Sequence, residues 1–172
     1  MAGDAGLGKS QVALDIAARI SIGAAWPDGG RAPRGNVVIL SAEDGHADTI
    51  RPRLDAAGAD VTRIHALSAV TDENGTRRTF DLGADLAALE KAICEIGDVT
   101  LVIVDPITSY MGCVDSHRMV DVRRVLEPLA AFAESNNVAV LAISHPPKST
   151  PARQSMPSRG PMPTSQPRGW FS

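Results

Sequence analysis

Gly3-Asp4-Ala5-Gly6-Leu7-Gly8-Lys9-Ser10 fits the pattern G-x-x-x-x-G-K-[ST] at every defined position. In that pattern the glycines let the backbone curl until several N–H groups point inward, where they can cradle the phosphates of a nucleotide. Gly3, Gly6 and Gly8 supply the torsional freedom, and Asp4, Ala5 and Leu7 complete the loop. Lys9 is expected to lie along the β- and γ-phosphates and Ser10 to set its hydroxyl on Mg²⁺. The reading requires a helix directly after the loop, whose positive dipole end adds to the anion site. Lys9 to Ile22 meets that requirement, with Val12, Ile16, Ala17 and Ile20 on one stripe and Gln11, Asp15 and Arg19 off it. A chance glycine-rich turn is the alternative, and the amphipathic helix argues against it.

Outward from the loop, the chain alternates strands and helices. Asn36-Val37-Val38-Ile39-Leu40 is a continuous apolar run, the pattern of a strand buried on both faces in a parallel sheet, and it ends in Ser41-Ala42-Glu43-Asp44-Gly45. A helix is expected near Ala47 to Ala57, closed by Gly58, then a short strand from Arg63 to Leu67. Thr71 to Thr79, with Asn74-Gly75, reads as an exposed loop or hairpin tip. Asp85 to Glu95 sets Leu86, Leu89 and Ile93 on one helical face.

Thr100-Leu101-Val102-Ile103-Val104-Asp105 is a second buried strand, ending in a carboxylate. Downstream of a phosphate loop, such an aspartate is expected to hold the Mg²⁺ shell from across the site. The helix from about Val120 to Asn136 presents Val122, Val125, Leu129 and Phe132, with Pro128 inside it. Val138 to Ile143 is a third apolar strand, followed by Ser144-His145-Pro146-Pro147-Lys148. Three strands therefore end in polar residues, Glu43, Asp105 and His145, at one edge of the sheet. In open α/β sheets ligands bind beyond that carboxyl edge.

These elements resemble the RecA-like ATPases of the RepA type, relatives of hexameric replicative helicases. The resemblance rests on the loop Gly3 to Ser10, on Leu40-Ser41-Ala42-Glu43-Asp44, on Val104-Asp105-Pro106-Ile107, and on Ile143-Ser144-His145 with Lys148. It implies an α/β fold with a mostly parallel sheet flanked by helices, ATP and Mg²⁺ as cofactors, and ATP hydrolysis coupled to single-stranded or forked DNA. It implies further that Glu43 polarises the attacking water, with Asp44 the rival base, and that Lys9 neutralises phosphate charge. Ser10 and Asp105 would hold the metal, and His145 would sense the γ-phosphate. From the residues alone, Glu43 can equally be a capping or solvated turn acid, and His145 can simply satisfy nearby backbone groups. The family also implies a homo-oligomeric ring whose site is completed between subunits.

Two departures from the family bear on these expectations. The hydrophobic strand that normally feeds the loop is replaced by Met1 and Ala2 alone, which is expected to leave a neighbouring strand with an unpaired edge. Residues 149–172 follow the expected 1–148 core as a proline-rich tail without periodicity, and seven of the twelve prolines fall from Pro146 onward. In a frame shifted by two nucleotides, the codons for Pro161 to Phe171 permit a helix rich in small residues. A frameshift origin is therefore expected, and resequencing across the Lys148 region tests it. Arg153, Arg159 and Arg168 cannot be assumed to replace the arginine that a neighbouring subunit donates in this family.

Composition narrows the remaining classes. The 172 residues suit one α/β domain, with no apolar run long enough to cross a bilayer and no signal-peptide pattern, so a cytoplasmic setting is expected. The net charge of −3 divides into +4 from Pro146 onward and −7 before it, which gives no basic stripe for nucleic acid. Cys94 and Cys113 are expected to be buried reduced thiols. His46, His65 and His117 carry no ligand spacing. Two rivals come from other classes: a small-molecule kinase, which lacks a visible arginine-rich lid, and a non-catalytic remnant or interaction fragment.

Overall fold

The computed structural model describes residues 1–3, 7–42, 45–67, 69–71, 75–112 and 119–144. Its centre is a four-stranded parallel sheet in the order β2-β1-β5-β6, formed by Ile64–Leu67, Asn36–Ser41, Val99–Asp105 and Ala139–Ala142. Helices α1 (Lys9–Ile22), α2 (Arg51–Ala56), α3 (Leu86–Ile96) and α4 (Met119–Ser135) flank it. A separate antiparallel pair, β3 (Val70–Thr71) and β4 (Arg77–Arg78), forms the hairpin expected in the polar stretch.

Why the sheet is parallel and central follows from its residues. Successive side chains of a strand point to opposite faces, and both faces here are apolar. Val37, Ile39, Leu101 and Ile103 pack with Ala13, Leu14, Ala17 and Ile20 of α1 and with Leu54 of α2. Val38, Leu40, Val102 and Val104 pack on the other side with Leu89 and Ile93 of α3 and Val125, Leu129 and Phe132 of α4. Each buried Val, Leu, Ile or Phe among them contributes about 1.5–3 kcal/mol relative to an exposed one. The result is a three-layer α/β sandwich around β1 and β5.

The register brings the functional edge together. β1 and β5 pair in step from Val37↔Leu101 to Ser41↔Asp105, and the Ala42 N–H donates to the Asp105 carbonyl at 3.2 Å. β6 lies on the other side of β5, from Leu101↔Ala139 to Val104↔Ala142. The first residues of the chain then reach the same edge: Ala2 bridges Ser144 in parallel, and the Ser144 N–H donates to the Met1 carbonyl at 2.8 Å. Among the described residues, this short pairing and the bond from the Met1 amine to the Ala142 carbonyl are the main-chain contacts on the outer side of β6.

Two expectations need correction, and a third strand differs from the other two in its surroundings. The buried face of α1 is Ala13, Leu14, Ala17, Ala18, Ile20 and Ser21, whereas Val12 is 49% exposed. Small alanines let the helix approach the sheet closely, so they, and not the branched Val12, define its inner face. Cys94 is an exposed free thiol, because it follows the buried Ile93 on the outer side of α3. β6 is apolar but not enclosed: Ala139 is exposed and Val140, Leu141 and Ala142 are half-buried. Cys113, His117 and the tail from His145 onward lie outside the described residues.

Candidate nucleotide-binding site

The loop and the strand ends meet at the carboxyl edge of the sheet. Gly3 follows directly on the Ala2–Ser144 bridge, so the loop departs beside the end of β6. It returns at Gly8, which takes a left-handed conformation (φ 75°, ψ 15°) that an L side chain adopts only at a cost, and this turn launches α1. No side chain caps α1, and its first turn holds no acidic residue. Its first intrahelical bond runs from the Val12 N–H to the Gly8 carbonyl at 3.0 Å. The N–H groups before it lack helical acceptors, which makes this helix end a donor set for an anion.

Lys9 is the most telling residue. It is 6% exposed, although it is a lysine in the first turn of a helix, and its ammonium turns back into the loop to donate to the Gly3 carbonyl at 2.5 Å. Burying a charged ammonium costs free energy unless partners compensate it. A buried cation at the open amino end of α1 is a combination that fits a polyanion such as a nucleoside triphosphate. Ser10 is half-buried in the same turn, and the side chain of Leu7 is 69% exposed.

Asp105 ends β5, half-buried, directly beside the buried Ser41 at the end of β1. The hydroxyl of Ser10 and the carboxylate of Asp105 are hard oxygen donors of the kind Mg²⁺ prefers. Among the described residues, no cluster of three or more His, Cys, Asp or Glu side chains could hold a metal. Magnesium in phosphate sites is ordinarily held by one or two protein oxygens together with phosphates and water.

Asp4, Ala5, Gly6, Glu43, Asp44 and His145 lie outside the described residues. Glu43 comes two residues after Ser41 and His145 directly after Ser144, so the chain leads to both from strand ends at this edge.

Sequence reasoning missed one neighbour of Asp105. Tyr110 lies in the short 3₁₀ turn Ile107–Tyr110 that follows β5, and it is 1% exposed. Burial, with the nearby Asp105 charge adding to it, pushes its phenol up to about 12. The signal available in the sequence was modest: Tyr110 is the only tyrosine of the chain and stands five residues after Asp105.

A parallel α/β sandwich with a G-x-x-x-x-G-K-S loop at the carboxyl edge of its strands defines a RecA-like P-loop domain. Residues 1–151 match an AAA domain family, AAA_25, and the chain belongs to that family. It is accordingly a nucleotide-binding domain of the ATPase type. No curated protein matches the chain. Among the described residues, no helix is long and apolar enough to cross a membrane.

Proposed function

We propose that this domain binds ATP with Mg²⁺ and hydrolyses it as a RecA-like motor module of the RepA type, coupled to single-stranded or forked DNA. The observation that carries the reading is the buried Lys9, turned into a glycine loop at the sheet edge where Asp105 ends its strand. The loop N–H groups and Lys9 would bind the phosphates, and Ser10 and Asp105 would hold the metal. The metal supplies neutralisation of phosphate charge, which together with positioning is most of what phosphoryl transfer to water requires. Glu43, two residues past the strand that flanks Asp105, is assigned the role of orienting the attacking water. His145, at the end of the third strand, is assigned the sensing of phosphate state.

DNA enters this reading as the load on the motor, and ring assembly as the means of completing the site between protomers. Turnover of ATP measured with and without single-stranded DNA, for the chain and for Lys9→Ala, tests the proposal. Stimulation by DNA that vanishes in Lys9→Ala is the expected result. A Mg²⁺-dependent rise in melting temperature with ATP, but no turnover under any condition, would favour a non-catalytic interaction module. Absence of that rise would remove the nucleotide reading altogether.

A further inference from the structure

One segment gathers several polar groups that this chemistry leaves unused. From β4 the chain continues through residues 79–85 into α3, and this arm lies against the turn that follows Asp105. Three links join the two. The Leu82 N–H donates to the Tyr110 carbonyl at 2.7 Å. The Phe80 ring meets the Tyr110 ring edge-on, with centroids 6.4 Å apart and planes at 67°. The Asp81 carboxylate packs onto Gly112, where φ is 60° and a Cβ would overlap it. Phe80, Leu82, Tyr110 and Met111 are all buried in one core.

The arm is itself braced from the hairpin. Arg78 in β4 sets both of its terminal nitrogens on the Asp85 carboxylate, at 2.6 and 2.5 Å. Asp85, 7% exposed, also accepts the Asp81 N–H at 2.8 Å, and Asp81 accepts the Gly83 N–H at 2.8 Å. At the other end, the turn after Asp105 is pinned by the Ile107 N–H on the Ile143 carbonyl at 2.8 Å and the Ser109 N–H on the Pro106 carbonyl at 3.1 Å. A continuous set of bonded and packed groups thus runs from the hairpin to the residue beside Asp105.

We propose that Arg78, Asp81 and Asp85 are positioning residues for Asp105. They brace the arm that clamps Tyr110 and Gly112, so displacement of the β3–β4 hairpin is transmitted to the strand end that carries the carboxylate. The consequence for catalysis rests on the reading of Asp105 as the Mg²⁺-shell carboxylate. The bidentate fork matters here because it fixes direction as well as distance, which a single contact does not. A charge network that served stability alone would lower the melting temperature without moving the surroundings of Asp105.

The single tyrosine gives a direct test, since 3-fluorotyrosine introduced throughout the chain reports on Tyr110 alone. Asp105→Asn should shift the fluorine resonance, and in an Arg78→Ala background that shift should fall by at least half. Arg78→Lys should recover part of it. Gly112→Ala, which disturbs the clamp from its other end, should reproduce the loss and supplies a second variant if Arg78→Ala does not fold. An Asp105→Asn shift of the same size with and without Arg78 would overturn the proposal. With ATP as probe, Arg78→Ala should raise the Mg²⁺ midpoint at least fivefold and leave metal-free ATP binding unchanged. An unchanged Mg²⁺ midpoint in a variant that merely melts earlier would also overturn it. A chain that shows the fluorine coupling yet binds no ATP would instead sink the nucleotide reading and uphold the brace.

Discussion

The two ends of the central sheet are built on opposite principles. At the amino end of β1 and β5 the chain is knitted to itself: the Asn36 N–H donates to the Asp98 carbonyl at 2.7 Å and the Asn36 side-chain amide to the Gly97 carbonyl at 2.7 Å. Gly35 sits so close that a Cβ there would overlap the Thr100 side chain and stand 2.9 Å from the Asp98 carbonyl. At the carboxyl end the same strands finish in Ser41 and Asp105, and the lysine that opens α1 is buried although charged, its ammonium on the Gly3 carbonyl. One end satisfies its backbone within the fold, while the other combines strand-end polar residues with a buried cation and an uncapped helix start. Substitutions at the two ends should therefore separate stability from chemistry.

The largest separation is expected at Lys9. Lys9→Ala should lower ATP turnover by about 100- to 1,000-fold, the effect of removing one preorganised charge stabiliser from a transition state. It should leave the unliganded melting temperature nearly unchanged, because the substitution also removes the cost of a buried ammonium. Steady-state hydrolysis and thermal melting of the same preparations check both halves. A Lys9→Ala chain that hydrolyses ATP normally would show that the two ends do not differ in this way.

Gly35→Ala should give the opposite pattern. The methyl group meets a backbone carbonyl as well as the Thr100 side chain, so rotamer changes alone cannot make room. Overpacking of this kind costs about 1–3 kcal/mol. For a domain of this size that is a fall in melting temperature of roughly 2–10 °C. ATP affinity per folded molecule should stay at the wild-type value, which isothermal titration below the transition measures.

Much of this contrast was legible in the sequence, and the parts that were not have physical causes. The glycine loop and the apolar runs of β1 and β5 announce themselves because a strand enclosed on both faces cannot carry polar residues until its end. β6 shows the limit of that rule: Ala139–Ala142 is as apolar as Val99–Asp105, yet it is half-exposed, since enclosure depends on neighbours that composition does not reveal. The inner face of α1 was misjudged at Val12 because hydrophobicity was weighed above size, and three alanines pack where a valine does not. Cys94 was misjudged for a related reason, since the usual burial of cysteine says nothing about which side of α3 it occupies. The arm joining Arg78, Asp81 and Asp85 to Gly112 was invisible, because its charged residues are of the type that a linear reading assigns to solvent, and the contact of Asp81 with Gly112 is distant in sequence.

Tyr110 sharpens the contrast from the carboxyl end. An unfolded chain releases the phenolic proton near pH 10, whereas the folded chain holds it until about 12. Between those values the native state binds more protons, so this contribution to stability is complete below pH 10 and is lost as pH rises through about 12. The loss is on the order of 1–3 kcal/mol, and Tyr110→Phe should lack it. Ultraviolet absorbance of the phenolate follows Tyr110 alone, and alkaline unfolding of the two chains gives the difference. A phenol that titrates near pH 10 in the folded chain would show that the turn after Asp105 is open to water.

Asp85 should give the smallest effect, with the opposite sign. The Arg78 guanidinium, helped by the Asp81 N–H, holds its carboxyl below the usual carboxylate range despite its burial. The unfolded chain therefore takes up this proton first as pH falls. The stability it contributes is complete above about pH 4 and is lost as pH drops through the lower folded value. Asp85→Asn should cost about 0.5–1.5 kcal/mol at neutral pH, a modest figure because solvent screens the half-exposed Arg78. It should also flatten the acid limb of the stability curve, which urea titrations from neutral to acid pH would resolve. If the variant keeps the full acid dependence, the carboxylate is not committed to the Arg78 fork, and the arm is held to the Asp105 turn without it, by the Leu82–Tyr110 hydrogen bond and by packing.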